Sequence, residues 1–235
     1  MTDYAYAGTE LPLFALADNW KAYFRRHIRP FLSDRVLEVG AGIGATMQTL
    51  CDGTQASWTA LEPDPDQATQ LEAAAAKIPG PCSVEVRKGT TESLGGAAPF
   101  DCILYVDVLE HIEDDARELE RAACLLAPGG AVVVLAPAHQ ALFSPFDAEI
   151  GHLRRYSKTS LSALTPSSLR MERCRYLDSV GVCASFANRA CLRSSMPTRR
   201  QILFWDRVMI PLSRCLDPLF AYRLGKSVLA VWRET

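Results

Sequence analysis

Three glycines, Gly40, Gly42 and Gly44, stand between an apolar run, Arg35-Val-Leu-Glu-Val39, and a helical stretch from Ala45 to Cys51. A strand that turns through glycines into a helix brings main-chain N–H groups close to a ligand, the geometry of a nucleotide site. The glycines alone do not select the ligand, because dinucleotide-binding dehydrogenases carry a similar loop. Two carboxylates narrow the choice. Glu62 ends the next apolar run, 18 residues beyond Gly44, where it can accept hydrogen bonds from both hydroxyls of a ribose. Glu38 precedes the glycines by two residues, and its charge favours a cationic ligand portion over a pyrophosphate.

S-adenosylmethionine carries a sulfonium and an ammonium and so meets both conditions. The alternative role for Glu38 is to cap neighbouring backbone. Methyl transfer from such a cofactor is an in-line displacement in which the sulfonium supplies the activation, so few catalytic side chains are needed. Candidates lie at or beyond the ends of the fourth and fifth strands, where open α/β sheets bind ligands: His111, His139, Asp147, His152 and Tyr156. His111 follows Glu110 at a loop-to-helix start, and the pair is read as ordering the turn in preference to direct base catalysis. His152 sits among Asp147, Glu149, Arg154, Arg155 and Tyr156, a polar segment without helical or strand period. Two readings stand side by side there: an Asp147-to-Arg clamp that holds the loop, or a substrate contact with His152 as base. His139 is balanced in the same way. His27 is expected on a helix surface, and no His/Cys group has zinc-ligand spacing, so no metal is expected.

The elements that must position these groups alternate short apolar runs with helical stretches, the pattern of a parallel sheet covered by helices. Strands are expected at 35–39, 57–61, 83–87, 101–106, 131–136, 169–177 and 227–232. Helices are expected over 67–77, capped by Pro63-Asp-Pro-Asp66, over 114–126 and over 158–164. Residues 137–156 read as a loop. The expected architecture is one α/β domain with a Rossmann-like, seven-stranded, mostly parallel sheet and helices on both faces. It divides into an N-terminal helical segment (1–34), a cofactor-binding core (35–136), a substrate-side loop, helix and strand (137–178), a helical lid-like insertion (179–225) and the last strand (226–235).

The chain has 235 residues, 49% of them hydrophobic and 22% charged, with a net charge of −2. That suits one core and argues against a nucleic-acid surface or a disordered acidic chain. Eight cysteines, without a CxxC pair, read as reduced packing residues and suggest a cytoplasmic protein. No secretory signal is expected at the N-terminus. The apolar segment Gln201 to Tyr222 is interrupted by Asp206, Arg207, Pro211, Arg214, Asp217 and Pro218, so it is not expected to span a bilayer, although peripheral membrane contact is compatible with it. A small-molecule acceptor is the expected partner, with the chain a monomer or homodimer.

Val36-Leu-Glu-Val-Gly-Ala-Gly-Ile-Gly44 resembles motif I of the class I methyltransferases, and Phe100-Asp-Cys-Ile-Leu-Tyr-Val-Asp-Val-Leu-Glu-His-Ile112 resembles their strand-four motif. Leu126-Ala-Pro-Gly-Gly130 continues the series. The stretches 137–143 and 146–156 are similar to a bacterial subgroup of the type 11, 12 and 23 methyltransferase domains. The resemblance implies that Glu38, Gly40, Ala41, Gly42 and Gly44 lie along the methionine portion of S-adenosylmethionine, that Glu62 and Pro63 meet the ribose, and that Val106, Asp107 and Leu109 line the cofactor. Many relatives carry an acidic residue after the third strand; Lys88-Gly-Thr-Thr91 stands here, so Thr90 or Thr91 is expected to serve the adenine edge. Phe143, Asp147, Arg154, Arg155 and Tyr156 are the expected acceptor-side residues.

The leading expectation is methyl transfer to a small amphipathic or hydrophobic acceptor: a natural product, quinone, isoprenoid or lipid-linked compound. A second is a member of the same fold that binds the cofactor without methylating, cyclase-like or purely binding, since fold does not fix reaction. A third, a nicotinamide-dependent reductase, is disfavoured by Glu38.

Overall fold

The computed structural model describes residues 6–95, 99–191 and 196–234, the side chains of 186–191 excepted. Seven strands form one sheet in the order β3-β2-β1-β4-β5-β7-β6. They are β1 (Arg35–Val39), β2 (Ser57–Glu62), β3 (Ser83–Lys88), β4 (Phe100–Val106), β5 (Leu126–Pro137), β6 (Leu169–Leu177) and β7 (Ser227–Glu234). β7 alone runs against its neighbours, pairing antiparallel with both β5 and β6. The other pairings are parallel, as the crossover helices require. The expected strands are all present. β5 begins earlier, because Leu126 already pairs with Phe100 before the chain bulges through Pro128–Gly130.

Alternation along the strands divides the core in two. Val36, Leu104, Val133 and Val231 face one side, with Trp20, Phe24, Met47, Trp58 and Ile210. Leu37, Ile103, Val132 and Val134 face the other, with Leu119, Tyr156, Leu161 and Trp232. Successive residues of a buried parallel strand supply both faces, which is why the strands read as unbroken apolar runs.

Ten helices are described: α1 (Leu11–Phe14), α2 (Asp18–Ile28), α3 (Ala45–Leu50), α4 (Pro65–Ala75), α5 (Asp115–Cys124), α6 (Pro145–Glu149), α7 (Lys158–Ala163), α8 (Ser179–Cys191), α9 (Arg199–Phe204) and α10 (Ile210–Leu219). A π-helical turn, Trp205–Met209, joins the last two. α4 starts two residues before the expected place because the Asp64 carboxylate accepts from the amides of Asp66 and Gln67, with Pro65 at the first helical position. α6 interrupts the expected 137–156 loop: a Ser144/Asp147 capping box supports a helix too short to show a hydrophobic period.

The described residues of the 179–225 segment pack as a layer of the body. α10 lies against α8 and α2, and Ile202 and Ile210 enter the core. Its anchors are two fully buried aspartates. Asp178 accepts from Ser213 Oγ at 2.7 Å and Trp205 Nε1 at 2.8 Å, and Asp217 accepts from Tyr23 Oη at 2.7 Å and the Asp178 and Ser179 amides. His27 corrects the expectation of a surface position. It is buried between the rings of Tyr23 and Tyr222, and burial, with Arg175 nearby, lowers its pKa to about 4. Cys51 and Cys82 place their sulfurs 3.5 Å apart, as free thiols. Among the described residues no helix is long and apolar enough to cross a membrane.

The approach of α4 to the start of α3 at the glycine turn is tight. Gly44 has φ +85°, and an added Cβ would stand 2.7 Å from Ala74 Cβ and 3.0 Å from Leu71 Cδ1. Gly44→Ala therefore combines left-handed strain with overpacking, and a loss of about 2–4 kcal/mol is expected in urea unfolding. Unchanged stability would show that α3 and α4 are more loosely packed than these distances imply.

Candidate active site

The parallel strands β1, β2, β4 and β5 end on one edge, and the candidate groups gather in the turns that follow. Gly40 and Gly42 have φ of +65° and +56°, and the Ala41 amide bonds back to Leu61 at 3.0 Å. A Cβ at Gly40 would strike Val108 at 2.7 Å, so glycine there lets the loop after β1 lie against the loop after β4. Glu62, buried at the end of β2, accepts from the Gly42 amide at 2.8 Å and the Asp64 amide at 2.9 Å. One carboxylate thus ties the glycine loop to the start of α4, and each oxygen keeps a second lone pair.

Glu38 is buried and accepts from Trp58 Nε1 at 2.9 Å. Its fixed partner is an indole, which corrects the backbone-capping alternative. Burial pushes its carboxyl up to about 8, the Trp58 hydrogen bond opposing and Glu62 adding to the rise. Burial also raises Glu62, and Asp64 adds to it. Asp107, at φ +55°, is open to solvent yet ringed by protein; that surrounding mass pushes its carboxyl up to about 6, with Glu10 contributing. Mutually repelling carboxylates around a glycine loop form a site for a ligand that carries positive charge and hydrogen-bonding hydroxyls.

The N-terminal segment borders this site, a placement the sequence reading missed. The Tyr6 amide donates to Asp64 Oδ2 at 2.8 Å and its hydroxyl to Glu10 Oε1 at 2.6 Å. Its ring meets His111 edge-on at 5.6 Å, and Leu11 lies beside Gly42. A four-residue helix has no period from which this docking could be read.

Glu110 is fully buried, and neither of its carboxylate oxygens has a hydrogen-bond partner. Burial and the neighbouring Asp107 hold its pKa well above the usual carboxylate range. His152 Nε2 stands 3.6 Å from Glu110 Oε1, and the His111 and His152 rings meet edge-on at 4.6 Å. On its other side His152 Nδ1 lies 2.9 Å from Asp147 Oδ1. Asp147 is fully buried and accepts both Nε and Nη2 of Arg155, each at 2.9 Å. An ionised Asp147 only accepts, so Nδ1 carries the hydrogen and Nε2 offers its lone pair toward Glu110. Glu110, His111 and His152 each present one ligand atom, all within 4.8 Å of one another, a donor set able to hold a divalent cation. The sequence reading expects no metal; the fold alone creates this grouping, since His152 lies 41 residues beyond His111.

The expected acceptor-side residues have partners within the protein. Asp147 and Arg155 form the clamp. Arg154 pairs with Asp115 at 2.6 Å and the Glu113 carbonyl, and the buried Tyr156 donates to Asp115 and lies 3.1 Å from the Leu109 carbonyl. Their polar atoms are thus used within the protein. His139 bonds the Gly225 carbonyl at 3.0 Å and lies on Tyr176, apart from the partners of His152. On the cofactor side, Thr91 Oγ1 is buried and donates to Glu118, and the Leu109 side chain is core. Neither side chain is free for a ligand. Thr90 is exposed, and Pro63, Val106 and Phe143 are half-buried.

A methyltransferase-domain family model matches residues 14–189. The chain belongs to that family, the class I S-adenosylmethionine-dependent methyltransferases, whose cofactor is S-adenosylmethionine. A ubiquinone biosynthesis O-methyltransferase of Caulobacter sp. (strain K31) is 32% identical over 107 residues, which cover 45% of this chain and 41% of the relative. The matched stretch therefore spans less than half of that relative. Among solved structures, an S-adenosylmethionine-dependent methyltransferase from Mesorhizobium loti aligns with a TM-score of 0.62 at 17% identity, covering 94% of this chain and 100% of the other. The 4+2 cyclase SpnF aligns at 0.61 with 14% identity, covering 92% and 80%. These likenesses establish the fold.

Proposed function

We propose that the protein transfers a methyl group from S-adenosylmethionine to a hydroxyl oxygen of a small, amphipathic acceptor of the quinone or isoprenoid type. The observation that carries this reading is the line Arg155–Asp147–His152, which turns one imidazole lone pair toward Glu110 in the turn after β4. Bound S-adenosylmethionine supplies an electrophilic methyl group, its S–CH3 electron pair passing to sulfur. Glu38, Glu62 and Asp107 hold the cationic and hydroxyl-bearing parts of that cofactor. His152 Nε2 takes the acceptor's hydroxyl proton as the O–CH3 bond forms, and Asp147 stabilises the imidazolium. Glu110, held in its protonated form by burial, lies beside that nitrogen without opposing the charge that develops there. The curated relative's name supports oxygen as the accepting atom and a quinone-type acceptor.

The test is S-adenosylhomocysteine formation with phenolic and quinol acceptors, before and after treatment with a chelator. Turnover insensitive to the chelator, and reduced about 10²- to 10⁴-fold in His152→Gln with little change in S-adenosylhomocysteine affinity, is the expected result. Activity lost to the chelator and restored by a divalent cation would instead assign Glu110, His111 and His152 to a metal. The unpaired oxygens of Glu110 favour that second reading. Cofactor binding without methyl transfer to any acceptor would sink both.

A further inference from the structure

The helical layer that ends the insertion carries an unusual outer surface. Six of the eight exposed large apolar side chains among the described residues fall between Phe204 and Leu224: Phe204, Val208, Leu212, Leu219, Phe220 and Leu224. Phe204, Val208 and Leu212 recur every four residues along α9, the π-helical turn and α10, so they share one face. Leu219 is 78% exposed and Phe204 59%, far more than a core-facing stripe would be. On a monomer such a contiguous apolar strip marks an interaction surface.

Charge identifies what covers it. Arg199, Arg200, Arg207, Arg214 and Arg223 are all exposed on the same stretch, with Arg200, Arg207 and Arg214 seven residues apart. None of them pairs with a carboxylate among the described residues. The two acids of this stretch point the other way. Asp206 accepts from Asn19 and the Trp20 amide, Asp217 from Tyr23 and two amides of the 178–179 turn, and both are buried. The charges on the outward face are therefore all arginine, although the chain as a whole carries −2. A helix with large apolar groups flanked by unpaired cations suits the boundary between acyl chains and anionic headgroups.

We propose that the α9–α10 face docks on an anionic lipid bilayer, Phe204, Val208, Leu212 and Leu219 entering the acyl boundary and the arginines meeting headgroup phosphates. The face lies beyond residues 14–189, the stretch matched by the methyltransferase family model. It also adjoins the site. Trp205 meets Phe14 edge-on at 6.2 Å, and α1, which carries Phe14, begins with the Leu11 that lies beside Gly42. A docked protein would thus receive an amphipathic acceptor from the membrane plane, a consequence that rests on the methyl-transfer reading; the docking itself does not.

Sedimentation with vesicles tests it in the absence of cofactor or acceptor. The full chain is expected to bind phosphatidylglycerol/phosphatidylcholine vesicles at least about 10-fold more tightly than pure phosphatidylcholine, and to be released by 1 M salt. Phe204→Ser with Leu212→Ser, and separately Arg207→Gln with Arg214→Gln, should each reduce binding several-fold at unchanged circular dichroism, since all four side chains are exposed. Failure to bind either vesicle, or binding untouched by both pairs of substitutions, would overturn the proposal. So would a concentration-dependent dimer that Phe204→Ser disrupts without any vesicle binding, which would assign the face to a second copy of the chain. Loss of vesicle binding with methyl transfer to a soluble acceptor intact separates this inference from the proposed activity.

Discussion

Replacing Glu62 by Ala is expected to weaken S-adenosylhomocysteine binding by about 100-fold or more, measured by isothermal titration. Two charge-assisted hydrogen bonds to a ribose diol contribute about 1.5–3 kcal/mol each, and 2.7 kcal/mol already corresponds to two decades in Kd. The substitution also removes the acceptor for the Gly42 and Asp64 amides, so the glycine loop loses its tie to α4. Glu62→Gln keeps one accepting oxygen and should fall between Ala and the parent. Glu38→Ala should weaken binding too, because a bound cation would draw the Glu38 carboxyl into its ionised form and the variant offers none. Unchanged affinity in both Ala variants would mean that the cofactor lies elsewhere.

Asp147→Asn should cost about 3–5 kcal/mol of stability in urea unfolding, because it leaves the guanidinium of Arg155 in a nearly dry setting without its charge partner. The sign of the pH effect follows from the same group. Burial alone would raise the Asp147 carboxyl, but hydrogen bonds from His152 and Arg155 outweigh burial and hold it well below the usual range. The native state therefore binds the proton less readily than the unfolded chain. The stabilisation is complete above the unfolded value of about 4 and is lost as pH falls through the folded one. The parent protein should lose stability in acid below about pH 4, and Asp147→Asn should follow a flatter curve there. Parallel curves would remove Asp147 from the acid transition.

How far each group could be read in advance depends on the range of its interactions. Glu38 and Glu62 are set by strand ends and a glycine turn, all local, so their places at the sheet edge follow from spacing. Their partners do not. Trp58 reaches Glu38 because β1 and β2 pair in register, with Val36 opposite Trp58, and a single strand carries no record of that register. Thr91 reads locally as a polar group after β3, yet its hydroxyl turns inward to Glu118, 27 residues away on α5. His27 looks like a surface residue of a charged helix until Tyr222 and Arg175 close over it.

The sequence by itself determined the strand order along the chain, the glycine turn with its two acids, and the family, because periodicity, turn chemistry and motif spacing are properties of short segments. Tertiary structure alone decided the rest. It docked Tyr6 and Glu10 beside the glycine loop, and it turned Asp206 and Asp217 inward so that arginines are the only charges facing out from α9 and α10. It also clamped Arg155 to Asp147 and paired Arg154 and Tyr156 with Asp115 while leaving Glu110 and His152 facing one another. Each of these outcomes depends on which distant partner completes a buried polar group, and only the packed chain brings such partners within 3 Å.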